Sequence, residues 1–180
     1  MPRKIANEKD AAAEALMIAA EKANASLMAF SGWLVGGIGA ALALLFSNIE
    51  KVAQMVDIDF IKPALALLLV ALLISTISRL MSSMVSAGIE SNEKSLLLAE
   101  EIRSTGAAFD ASVFMSEFAR GLFPIQRWFA NQSMSKAKQG DTVAAARGIA
   151  KLSQAQAMLV FFEVLLVVVA GSLLLAGVRL

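Results

Sequence analysis

Three residue types are missing from this chain of 180 residues: it has no histidine, no cysteine and no tyrosine. Without histidine there is no imidazole for acid/base work at neutral pH. Without cysteine there is no thiol nucleophile and no disulfide, and the usual ligands of zinc and haem are gone. Charge is also scarce, at 17% of residues, and proline occurs three times. An ordinary soluble domain carries about a quarter charged residues.

What fills the space is apolar. The hydrophobic fraction is 58% and the mean hydropathy is +0.69. A domain this small keeps much of its surface exposed and has no core large enough to hide that excess. A water-soluble enzyme is therefore the wrong class.

Contiguity sharpens the reading. Ala23 to Ile49 is uncharged, Pro63 to Ser78 is uncharged, and Leu152 to Val178 is broken only by Glu163. A bilayer core of about 30 Å needs roughly 20 helical residues. The first and third stretches meet this outright. The second meets it over 60–80, with Lys62 and Arg79 snorkelling toward opposite headgroup layers. Helix is the assignment because lipid offers no partner to open strand edges. The first stretch follows acidic residues Glu8, Asp10, Glu14 and Glu21, unlike the basic start of a cleavable signal. It reads as a retained span.

The fold class expected is all-α: an integral membrane protein with three transmembrane helices, long helices extending into the cytoplasm, and a helical cytoplasmic subdomain. The segments expected are a cytoplasmic N-terminal helix over 1–26 and transmembrane helix 1 over 27–46. A short external loop over 47–59 leads to transmembrane helix 2 over 60–80. The cytoplasmic subdomain over 81–156 leads to transmembrane helix 3 over 157–178, and 179–180 lie outside. Lys/Arg asymmetry sets this orientation. Four basic residues precede the first span: Arg3, Lys4, Lys9 and Lys22. The first connection has Lys51 against Glu50, Asp57 and Asp59. The second connection carries eight basic residues and the C-terminus only Arg179. The pattern fits a bacterial-type inner membrane with the N-terminus cytoplasmic and the C-terminus external.

Local patterns refine the helices. Ala12, Leu16, Ala19, Ala23 and Leu27 form a one-sided stripe that predicts one helix running into the first span. Val85, Ile89, Leu96, Ala99, Ile102 and Phe109 form a second stripe, with Gly88 and Gly106 as weak points. Gly140, Asp141 and Thr142 read as a helix end and a new N-cap, after which a helix continues into the third span.

Four groups of residues are candidates for function. Gly32, Gly36 and Ala40 form a small-residue ridge at every fourth position, the pattern of close helix packing or oligomerisation. Its other use is packing against the protein's own spans. Glu163 is the one carboxylate inside a span. It either pairs with Arg79 at similar depth, reaches interfacial water, or handles a proton or ion. Phe109, Phe114, Phe118, Phe123, Trp128 and Phe129 put six of the twelve aromatics into 21 residues. They either close a cytoplasmic bundle, lie in the membrane interface, or bind a partner. Arg120, Arg127, Lys136 and Lys138 beside them suit contact with anionic lipid.

No catalytic motif, cofactor site or metal site emerges. Gly36-Gly37-Ile38-Gly39 is embedded in an apolar run with no strand before it, so it is no phosphate loop. A basic surface beside a bilayer is a lipid contact more simply than a nucleic-acid site. The function expected is non-enzymatic: a small membrane subunit or scaffold that binds a membrane or cytoplasmic protein through its cytoplasmic helices and self-associates through the ridge as a homo-oligomer. The competing reading is a small oligomeric channel or pore-forming effector.

Overall fold

A computed structural model describes residues 7–105 and 143–179, together with residues 110, 113, 116, 117, 120, 121, 124, 127, 128, 131, 132, 135, 136, 139 and 141. The described residues are nearly all helical. Helix α1 is Glu8–Ser47, α2 is Ile49–Met55, α3 is Ile58–Thr105 and α4 is Ala144–Ala176. α1, α3 and α4 are each long and apolar enough to cross a membrane. At 40, 48 and 33 residues each exceeds the span of a hydrocarbon core, since a helix rises about 1.5 Å per residue.

Their local chemistry explains their length. α1 starts with Asn7, whose Oδ1 accepts the Asp10 N–H at 2.9 Å, an N-terminal capping contact. Acidic Glu8 and Asp10 then sit where the helix dipole favours negative charge. α3 tolerates Pro63 near its start, at the loss of one backbone bond. It passes through Gly88 without a break. α2 lies inside the stretch expected as a plain loop; it is a short helix whose register the apolar count does not reveal.

The chain divides into two compact units. One comprises Met1–Asn24 and Ser83–Ser153, the other Ala25–Ser82 and Gln154–Leu180. In the first, Ala13, Met17, Val85, Ile89, Val143 and Ala146 form the core, with Leu16, Ile149 and Leu152 packed on it. Asn24 is buried with them, and its side-chain amide donates to Ser86 Oγ at 2.9 Å. This moves the α1 stripe by one residue. The buried positions are Ala13, Met17, Ala20 and Asn24, while Ala12, Ala19 and Ala23 are exposed. A count of apolar residues skips Asn24, and its partner on α3 is what makes the shifted phase stable.

In the second unit, Ile38, Leu42, Ala64, Leu68, Ala71 and Ala170 form the core. One end is tied by an antiparallel bridge between Val56 and Val178. The Asp57 N–H donates to the Gly177 carbonyl at 2.9 Å and the Arg179 N–H to the Met55 carbonyl at 2.8 Å. Arg179 Nη2 and Asp57 Oδ2 stand 3.3 Å apart. Gly177 is required there by space: a Cβ would lie 2.7 Å from Phe60 Cβ and 2.9 Å from Val56 Cγ1. Phe60 Cβ is tied to the backbone and cannot yield, so Gly177→Ala costs about 1–3 kcal/mol. A denaturation series in detergent reads this as a loss of stability in the variant relative to wild type.

The same tie is pH-dependent. The Asp59 N–H, bonded to Asp57 Oδ1 at 3.1 Å, and then the Arg179 guanidinium hold the Asp57 carboxyl below its ordinary range. A carboxyl depressed in the folded state stabilises it above the unfolded value of about 3.9. That contribution fades as pH falls from there through the folded value. Hydrogen exchange at the Asp57 and Arg179 amides, corrected for intrinsic rates, is expected to quicken below that pH, and Asp57→Asn is expected to flatten the dependence.

Candidate functional site

The site grows out of helix periodicity in the second unit. On α3 the buried residues are Ile61, Ala64, Leu68, Ala71, Ser75, Ser78 and Ser82, spaced alternately three and four. This is the spacing of a helix that keeps one seam toward its neighbours. The serines hold the same phase as the alanines and leucines, so they are buried by position. α1 contributes Ser31 and α4 contributes Gln156, Val160 and Glu163 to the buried set.

Ser31 Oγ and Ser75 Oγ are hydrogen bonded at 3.0 Å. The Ser75 hydroxyl lies against the Glu163 carboxyl. Glu163 is 0% exposed, and neither of its oxygens is closed into a hydrogen bond. Ser78 Oγ and Gln156 Oε1 are buried and unpartnered in the same way. Such atoms are rare in folded proteins because an unmade bond in an apolar setting costs about 1–3 kcal/mol.

Arg79 does not resolve this. It is exposed, and its Nη2 lies 3.8 Å from where a Cβ on Gly32 would be. It attracts the Glu163 carboxyl through space without a hydrogen bond to either oxygen.

The glycine ridge faces the other way. Gly36 and Ala40 are exposed and Gly32 is half-buried. A Cβ on Gly36, Gly37 or Gly39 would meet nothing within 4 Å. Met28, Ala29, Gly32, Trp33, Gly36 and Gly37 line a shallow groove there, and Trp33 is 84% exposed beside it.

Of the aromatic group, Trp128 is exposed. Phe109, Phe114, Phe118, Phe123 and Phe129 lie outside the described residues, as does Lys138. Arg120 pairs with Glu117 at 2.8 Å on the surface, and the Arg127 guanidinium donates to the Arg120 carbonyl at 3.1 Å. Lys136 is exposed.

Sequence reasoning singled out Glu163 but missed Ser31, Ser75, Ser78 and Gln156. Their signal was phase: Ser75, Ser78 and Ser82 continue the spacing of Ala64, Leu68 and Ala71. No protein family, no curated protein and no solved structure matches the chain.

Ser31→Ala and Ser75→Ala each remove the hydrogen bond between the two hydroxyls, so each is expected to cost about 1 kcal/mol. The double variant is expected to cost less than the sum in a denaturation cycle, because the second change removes a group that has already lost that bond.

Proposed function

We propose that the chain is a membrane-embedded assembly subunit that performs no reaction of its own and associates laterally with a second copy through the outer face of α1. The observation that carries this is the open space at Gly36, Gly37 and Gly39. Glycines that serve a chain's own packing have neighbours where a Cβ would stand; among the described residues these have none. In lipid, where hydrophobicity does not drive helices together, close backbone approach at small residues does. Trp33 supplies a large flat side chain to fill the groove of a partner copy.

Orientation in this reading follows the basic residues: the N-terminus and 81–156 face the cytoplasm, and the Asp57–Arg179 tie faces out. The aromatic and basic stretch around Trp128 then lies at the inner leaflet, where it contacts anionic lipid or a cytoplasmic partner. A pore reading has less support. A conducting path needs polar groups along its length, and within the second unit the buried polar groups give way to Ile38, Leu42, Ala64, Leu68, Ala71 and Ala170.

The test is association in liposomes, read by single-molecule photobleaching across protein-to-lipid ratios. Wild type is expected to shift from one to more subunits per spot as density rises. Gly36→Leu is expected to stay single without loss of thermal stability, since a Cβ there meets nothing within 4 Å among the described residues. A wild type that remains single at every ratio overturns the proposal.

A further inference from the structure

We propose that the oxygens around Glu163 form a binding site for a small monovalent cation, which exchanges there with a proton. The carboxyl group is fully buried, so its charge needs a counter-charge. α1 has no charged residue from Ala23 to Ile49, α3 has none from Pro63 to Ser78, and α4 has none but Glu163 itself from Leu152 to Val178. Arg79, the next residue on α3, supplies part of it through space but bonds neither oxygen. Both oxygens are left for a ligand from solution.

The donor set selects its kind. The unpartnered atoms are all oxygens: Glu163 Oε1 and Oε2, Ser78 Oγ and Gln156 Oε1. A proton on Glu163 gives one donor and satisfies one bond. A cation draws on several lone pairs together. Ser31 and Ser75 share one hydrogen bond, and each hydroxyl has two lone pairs, so both retain capacity to ligate. Ser78 lies three residues from Ser75, about 4.5 Å along the axis, within reach of the same ion. Gln156 lies seven residues from Glu163, about 10.5 Å along the axis, too far to share it. It marks a second polar level with Ser82.

Hard oxygen donors suit alkali and alkaline-earth cations over softer metals. The single carboxylate balances one positive charge. A divalent ion would add a second charge with no further carboxylate to meet it, so the site takes a monovalent ion.

The experiment is equilibrium binding of radioactive sodium to the purified full-length protein in detergent, with lithium and potassium as competitors and choline as the inert control. Wild type is expected to show one saturable site per chain, with binding that weakens as pH falls because a proton competes. Glu163→Gln is expected to abolish it. Ser75→Ala is expected to weaken it about tenfold or more, the size of effect that follows from losing about 1.4 kcal/mol of binding. Circular dichroism checks that both variants fold, and Ser75→Ala carries the test if Glu163→Gln does not. Absence of saturable binding for sodium, lithium and potassium overturns the proposal and leaves a proton as the sole ligand. Binding undiminished in Ser75→Ala overturns it too, since the ion then sits elsewhere.

Discussion

Helix phase is the constraint on which the structure depends. α3 buries a residue every three or four positions from Ile61 through Val85 to Ile89, and whatever occupies a position in that phase is taken out of solvent. Where the occupant is apolar, it joins a core. Where it is polar, it must find a partner within reach or carry an unmet bond. Asn24 finds Ser86 and Ser31 finds Ser75. Ser78, Gln156 and Glu163 keep unmet oxygens.

Small residues have two distinct uses in the second unit. Along α3, Ala64, Ala71, Ser75, Ser78 and Ser82 stand in the buried phase. They let neighbouring helices approach closely and bring short hydroxyls together. Along α1, Gly36, Gly37 and Gly39 are exposed, and a Cβ there would meet nothing within 4 Å among the described residues. The same composition thus serves an interior in one helix and an unfilled outer face in another. The choice is made by position relative to the seam.

This distinction also decides what the sequence could reveal. The three long apolar helices were legible because uncharged runs of that length match the thickness of a bilayer core and exceed what a small soluble core can bury. Glu163 was legible because a carboxylate in such a run stands out. The direction of the glycine ridge was not: spacing of four says that Gly32, Gly36 and Ala40 share a face, and only the positions of the other helices say which way it points. The stripe on α1 was misplaced by one residue because hydropathy ranks Asn24 with the surface, whereas its bond to Ser86 puts it inside. Ser75 and Ser78 passed as ordinary span residues, and Ser82 as part of the segment that follows, because hydroxyls are common in helices that bond back to their own backbone, as Thr76 does to the Leu72 carbonyl at 3.0 Å. Distinguishing the two kinds required the heptad phase, which a hydropathy count ignores.

The buried carboxylate bears on how the two proposed activities relate. Packing alone does not call for Glu163, since an apolar side chain of similar volume at a buried charged position is often neutral or stabilising. What glutamate adds is the ability to exist in two states, ionised with a cation or neutral with a proton. Ser31 ties that chemistry to α1, and the next residue along α1 is Gly32, which lines the outer groove. A cation that favours one arrangement of α1 over another changes association at the groove by the factor of that preference. By linkage, association changes cation affinity by the same factor. The helix that carries both features is the physical element through which a bound ion and a neighbouring copy can sense each other.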